Sequence, residues 1–163
     1  RDLRIQVPGY HNVENATAAA AVALLLGVGE TQVREGLRTY SGVKRRFEYI
    51  YRDENFVYID DYAHHPAEVA AFLGSVKALY PARKVTAVFQ PHLYSRTRDF
   101  ADEFAESLSL ADETILLDIY PAREQPIPGV TSEMVFKKIQ SKEKTLCRKD
   151  ELMAVLARRK PDV

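Results

Sequence analysis

The chain has 163 residues, enough for one well-buried domain plus a short appended piece, and its 23 Lys+Arg balance 23 Asp+Glu. Zero net charge excludes a general attraction to nucleic-acid phosphates or to an anionic membrane surface, so any anion site must be a local cluster. The hydrophobic fraction of 46% is that of ordinary globular proteins, no apolar run approaches the roughly 20 residues of a membrane span, and Cys147 alone cannot form an internal disulfide, which fits a reducing cytoplasm.

The chain opens on Arg1 rather than Met and stops on a charged turn, Arg159 to Val163, that reads as the approach to another strand. The expectation is a piece cut from a longer protein. Val13 to Leu26 is almost pure Ala, Val and Leu, with His11, Asn12 and Asn15 at its start and Gly27 at its end, the pattern of a buried helix with an exposed amino terminus. A second helix is expected after Thr31 as N-cap, with Val33 and Leu37 as its apolar stripe and Ser41-Gly42 as its stop. Arg46 to Tyr51 and Phe56 to Asp60, rich in aromatic and β-branched residues and separated by Asp53-Glu54-Asn55, read as a β-hairpin.

Strands and helices then alternate. Phe56–Asp60 leads to a helix that begins at Pro66, carries Val69, Phe72, Leu73, Val76 and Leu79 on one face and stops at Pro81. Val85–Gln90 leads to a helix near Thr97–Leu110, and Thr114–Ile119 leads through the Pro-rich loop Pro121 to Gly129 to a helix near Ser132–Ile139. Such alternation predicts an α/β fold, Rossmann-like, with a mainly parallel sheet and helices on both faces.

Ligands of such sheets bind at the carboxyl ends of the strands, where strand-to-helix loops gather. The loops there are Asp60-Asp61-Tyr62-Ala63-His64-His65, Gln90-Pro91-His92-Leu93-Tyr94-Ser95-Arg96 and Asp118-Ile119-Tyr120-Pro121-Ala122-Arg123, and they carry three of the four histidines. Each feature also has an ordinary structural reading. Asp60-Asp61 fits an Asx turn, and neighbouring carboxylates on a strand face opposite ways. His64-His65-Pro66 fits a helix N-cap, and no Cys or Glu stands at metal-ligand spacing beside it. Arg96 and Arg98, expected near a helix start, oppose the macrodipole there unless an anion is bound. Arg45-Arg46 reads as a solvated pair and Cys147 as an inert strand or core residue.

Four stretches together, Pro8-Gly9-Tyr10-His11-Asn12-Val13-Glu14-Asn15, Gly42-Val43-Lys44-Arg45-Arg46-Phe47-Glu48, Asp60-Asp61-Tyr62-Ala63-His64-His65-Pro66 and Phe89-Gln90-Pro91-His92-Leu93-Tyr94-Ser95-Arg96-Thr97-Arg98-Asp99, resemble the carboxy-terminal half of the Mur ligases. The first two recur across that family, and their combination with the last two resembles the members that join L-alanine to UDP-N-acetylmuramate. The resemblance covers nearly the whole chain. It implies that residues 1–43 are the helical tail of the central ATP-binding domain and residues 44–163 the carboxy-terminal domain, truncated before a last strand expected just past Val163.

The same resemblance implies a cytoplasmic, bacterial enzyme of peptidoglycan synthesis. ATP phosphorylates the muramate carboxylate, and the amine of alanine attacks the acyl phosphate. His11, Asn12 and Asn15 would meet the adenine end of ATP, Arg46 the phosphates and Asp61 the ribose hydroxyls. Tyr62, His64, His92 and Arg96 would bind L-alanine, with His64 the candidate general base and Arg96 on the substrate carboxylate. The phosphate-binding loop and the ligands of Mg2+ belong to the family's upstream region, so no metal site is expected here and the chain alone is expected to be inactive. Leu93 stands where some relatives carry Arg, which leaves fewer cations for the carboxylate. The alternatives are a sister ligase that attaches a peptide to muramate, a non-catalytic nucleotide- or amino-acid-binding module, and a His-rich metallohydrolase, which lacks the ligand spacing.

Overall fold

The computed structural model describes residues 3–163, so Arg1 and Asp2 lie outside the described residues. The chain enters helix α1 (Tyr10–Leu25) through Gly9 at φ 104°, where an added Cβ would come within 2.7 Å of the His11 ring. The sequence pattern predicts burial of this helix, and the structure corrects it. Only Ala20 is buried, while Tyr10, Leu25 and Leu26 are wide open to solvent. A helix that is apolar all round needs partners on every side, and here α1 packs only along a narrow front against α2 and α3. Helix α2 (Glu30–Thr39) starts earlier than Thr31: Gly29 is its N-cap, and Gln32 Oε1 accepts from the Gly29 N–H at 3.1 Å.

Strands β1 (Glu48–Arg52) and β2 (Val57–Asp60) form the expected antiparallel hairpin. Its turn closes because Asp53 Oδ1 accepts from the Asn55 and Phe56 N–H groups at 2.8 and 2.7 Å. Helix α3 (Pro66–Leu79) buries Val69, Leu73 and Val76. It leads to β3 (Thr86–Phe89). The single helix expected near 97–110 is two, α4 (Tyr94–Asp99) and α5 (Ala101–Leu108), broken at Phe100. Strand β4 (Glu113–Leu117) and the short helix α6 (Ser132–Phe136) follow, then two further elements, β5 (Glu143–Cys147), which has little sequence signal, and α7 (Leu152–Arg159), whose Leu152, Val155 and Leu156 stand at helical spacing.

Strands β3, β4 and β5 form a parallel sheet in the order β3-β4-β5, with all of central β4 buried. Leu116 faces the core that Leu73, Val76, Phe104, Leu108, Val135 and Ile139 supply from α3, α5 and the α6 region. Ile115, Leu117 and Cys147 face the other way, against Leu152, Val155 and Leu156 of α7. Helices therefore cover both faces, as expected of a Rossmann-like fold. One correction concerns continuity: β2 does not pair directly with β3. Val57 N–H donates to Asp162 O at 2.9 Å, Thr86 N–H to Val163 O at 2.7 Å, and Val163 N–H to Lys84 O at 3.2 Å. Residues 162–163 thus stand between the hairpin and the parallel sheet.

At the amino-terminal end of β4 lies the fully buried carboxylate of Glu113. It pairs with Lys84 at 2.9 Å and Arg159 at 3.2 Å, and both cations also pair with Glu143. This network fastens α7 to the sheet at the end opposite the loops described next. Among the described residues, no helix is long and apolar enough to cross a membrane.

Candidate functional site

The carboxyl ends of β2, β3 and β4 open onto one edge, and the loops there are tied to each other. Asp61 is the first knot: Oδ2 accepts from the Phe47 N–H and Oδ1 from the Ala63 N–H, both at 2.8 Å. Tyr62 N–H donates to Arg45 O at 2.8 Å. The Phe47 ring is buried edge-on against Tyr49 and Phe72, which anchors this loop to α3. Arg45, expected to be merely solvated, pairs with Asp60 at 3.2 Å and lies over the Tyr62 ring.

His65 is the N-cap of α3: its Nδ1 accepts from the Ala67 N–H at 3.4 Å, and its ring meets Phe100 edge-on. Three residues on, Glu68 closes the capping box by accepting from the His64 and His65 N–H groups at 3.0 and 3.1 Å. The same carboxylate lies 3.2 Å from His64 Nδ1 and 3.8 Å from Arg46. Burial pushes the Glu68 pKa up, but the two N–H groups, then the neighbouring His64 ring and the Arg46 charge, outweigh it and hold the carboxyl below its usual range.

The second and third loops meet at His92. It forms a parallel bridge with Tyr120, and the two rings stack at 5.5 Å. Burial, then the positive charge of Arg96, push the His92 pKa below its ordinary value, which favours the neutral ring. Arg96 is half-buried, reaches within 3.4 Å of His64 O, and among the described residues has no carboxylate at ion-pair distance. Arg96 is the third residue of the six-residue α4, near its start as expected, whereas Arg98 stands next to its end; first and last turns overlap in so short a helix, so the macrodipole conflict is small. Glu124 ties the third loop to α4 through Ser95.

Backbone strain gathers here too. Of the non-glycine residues at positive φ among the described residues, Arg45 (58°), Phe47 (51°), Leu93 (74°) and Ala122 (51°) all lie in these loops or next to them. Such conformations cost about 1–3 kcal/mol each and persist where surrounding contacts over-determine them.

The structure thus brings Asp61, Tyr62, His64, His92 and Arg96 to one edge, with Arg46 joined to His64 through Glu68. His11, Asn12 and Asn15 sit apart at the start of α1, and among the described residues no hydrogen bond or ion pair joins them to the sheet edge. Asn12 Nδ2 donates to Pro8 O at 2.6 Å, His11 Nδ1 is buried without a hydrogen-bond partner, and Asn15 is exposed. A cleft of about 340 Å³ is lined by Gln6, Pro8, Lys44 and Arg46 among others, and none of His11, Asn12, Asn15 or the sheet-edge residues lines it apart from Arg46. Among the described residues, no group of three or more His, Cys, Asp or Glu is placed to hold a metal ion. The sequence reading missed Glu68, Tyr120 and Glu124. Only Glu68 had a local signal, its place three residues after an N-cap.

Two parallel strands and the hairpin strand beside them, with three polar loops converging at their carboxyl ends, define an α/β ligand-binding domain, and residues 45–160 match the Mur ligase, glutamate ligase domain, so the chain belongs to the Mur ligase family. Among curated proteins it is similar to the UDP-N-acetylmuramate–L-alanine ligase of Parabacteroides distasonis, with 54% identity over 99% of this chain and 35% of the relative. Among solved structures it is similar to the UDP-N-acetylmuramate–alanine ligase of Thermotoga maritima, with 34% identity, a TM-score of 0.77, and coverage of 94% of this chain and 33% of that one. The murein peptide ligase of Psychrobacter arcticus, 24% identical over 98% of this chain and 34% of that one with a TM-score of 0.66, shares the fold. The chain spans about a third of the length of the curated relatives it matches.

Proposed function

We propose that this chain is the amino-acid-binding part of an ATP-dependent ligase that joins L-alanine to UDP-N-acetylmuramate through an acyl phosphate, in bacterial peptidoglycan synthesis in the cytoplasm. Residues 1–43 are then the end of the central ATP-binding domain and residues 44–163 the carboxy-terminal domain. The observation that carries the reading is the half-buried guanidinium of Arg96, without a carboxylate partner among the described residues, beside His64 and a His92 whose neutral form is favoured. A site of this kind fits a small zwitterion. Arg96 receives the carboxylate of alanine by charge-assisted hydrogen bonds, Tyr62 and His92 flank the small side chain, and His64 faces the amine.

On the nucleotide side, Arg46 and Lys44 line the cleft where phosphate charge is to be neutralised. Asp61 is assigned to the ribose, although both its oxygens already hold loop N–H groups. His11, whose Nδ1 is buried and unpaired, and Asn12 and Asn15 are assigned to adenine. ATP and Mg2+ together supply the phosphoryl chemistry. The chain contains no Gly-Lys-Thr or Gly-Lys-Ser segment of a phosphate loop, so Mg2+ is assigned to ligands upstream.

The full-length protein should release phosphate from ATP only when UDP-N-acetylmuramate and L-alanine are both present. A protein that accepts a free tripeptide in place of alanine would be the sister ligase instead, and one that binds ligands without turnover would be a binding module. The 163-residue chain by itself should fold but show no ATP turnover, since phosphoryl transfer depends on positioning and charge neutralisation that it does not supply alone.

A further inference from the structure

We propose that Glu68 is the positioning residue that fixes the His64 imidazole with its hydrogen on Nδ1, leaving Nε2 as the proton acceptor for the incoming amine. This rests on the ligase reading above. His64 Nδ1 lies 2.9 Å from Tyr62 O and 3.2 Å from Glu68 Oε2. A backbone carbonyl and an ionised carboxylate only accept, so the nitrogen between them must donate. The lone pair of the neutral ring is then on Nε2, which has no hydrogen-bond partner among the described residues.

The carboxylate is itself fixed by the backbone. Glu68 stands in the first turn of α3 and accepts from the His64 and His65 N–H groups, so local helix geometry sets its place opposite the ring. Its other oxygen faces Arg46 at 3.8 Å. One side chain therefore links the cation assigned to phosphate with the base assigned to the amine. The His64 carbonyl lies 3.4 Å from Arg96 Nη1, which puts the guanidinium assigned to the alanine carboxylate beside the same residue.

The chemistry requires such a base. Free alanine carries an ammonium group with no lone pair. Nε2 of His64 takes one proton and becomes an imidazolium, which Glu68 stabilises. The freed nitrogen lone pair forms the C–N bond to the acyl-phosphate carbon, the C–O bond to phosphate breaks, and the remaining surplus proton leaves with the phosphate. A carboxylate that orients a histidine and stabilises its charged form is a recurring arrangement for general-base catalysis.

The test uses the full-length protein and Glu68→Gln, which keeps the side-chain length and an oxygen for the α3 cap but offers an amide donor to the ring. Nitrogen-15 NMR, with the His64 signal assigned by a His64→Gln variant, should find the Nδ1–H tautomer in the parent without substrates and a shift toward Nε2–H in Glu68→Gln. The kcat should fall about a hundredfold or more, with the alanine KM within about threefold. An Nε2–H tautomer in the parent, or a Glu68→Gln kcat within about threefold of the parent, would overturn the proposal. Because the Tyr62 carbonyl alone would also favour Nδ1–H, the role of Glu68 is read from the variant; should Glu68→Gln misfold, Glu68→Ala must show the same tautomer shift and kcat loss, and an unchanged tautomer there would overturn the proposal. A parent with the Nδ1–H tautomer but no alanine-dependent ATP consumption would instead defeat the ligase reading.

Discussion

Ser95 holds both oxygens of Glu124: its N–H donates to Oε2 at 2.9 Å and its hydroxyl donates to Oε1. These bonds hold the Glu124 carboxyl below its usual range and join the loop after β4 to the helix that carries Arg96. Glu124→Ala should free that helix start. We expect kcat/KM for alanine in the full-length protein to fall about ten- to a hundredfold, since small misplacements of a binding group have effects of that order. The ATP KM should move less than about threefold. Steady-state kinetics with each substrate varied in turn checks this, and equal changes for both substrates would count against it.

Arg96→Ala should raise the alanine KM far more than the ATP KM, by roughly ten- to over a hundredfold for the loss of one charge-assisted contact of about 1.5–3 kcal/mol. An effect confined to the ATP KM would remove the sheet edge from the amino acid.

Asp61→Asn has a less selective expected outcome, because Asp61 holds the Phe47 and Ala63 N–H groups. An amide has one acceptor oxygen where the carboxylate has two. The variant should lower both the melting temperature and the nucleotide affinity. Loss of nucleotide affinity at unchanged melting temperature would mean that the loop does not depend on this anchor.

Glu113→Ala should destabilise the fold by about 2–4 kcal/mol. Removing one member of a buried charge network costs about 3–5 kcal/mol, and the lower range reflects Lys84 and Arg159 being about one-third exposed. Activity per folded molecule should not change, since Glu113 begins β4 and the candidate site lies beyond its other end. Urea unfolding at matched protein concentration measures the first part, and a cost below about 1 kcal/mol would contradict it.

Asp112 gives a pH dependence of definite sign. Burial pushes its pKa up, but Lys77 at 2.7 Å and the Val85 N–H at 2.9 Å outweigh burial and leave it below the ordinary aspartate value. A folded pKa below the unfolded one, about 3.9, means that the contribution to stability is present above that pH and is lost as pH falls through the folded value. The urea midpoint of the parent should therefore drop more steeply between about pH 5 and 2 than that of Asp112→Asn. Parallel curves would show that the pair contributes nothing.

Several elements were legible because their signals are local. Pro66 and the apolar positions Val69, Leu73 and Val76 gave α3, and Asp53 gave the hairpin turn. Helix α1 is legible in its composition but its exposure is not, because composition cannot say what stands on each side of a helix. Strand β5 has only Leu146 and Cys147 as apolar residues, so its existence depends on pairing with β4. The break at Phe100 places Arg98 next to the end of a six-residue helix, while Arg96 stays near its start.

The sequence by itself determined the alternation of strand and helix and the polar loops that follow each strand, because periodicity, caps and turns are set within a few residues. It also put Tyr62, His64, His92 and Arg96 after strands, where parallel sheets bind ligands. Only the tertiary structure decided that Glu124 grips Ser95 across 29 positions of sequence and that Glu113 meets Arg159 from α7. It also placed Tyr62 O and Glu68 around one nitrogen of His64. Pairings of this kind follow from sheet register and helix orientation, which the whole chain settles together and no local pattern encodes.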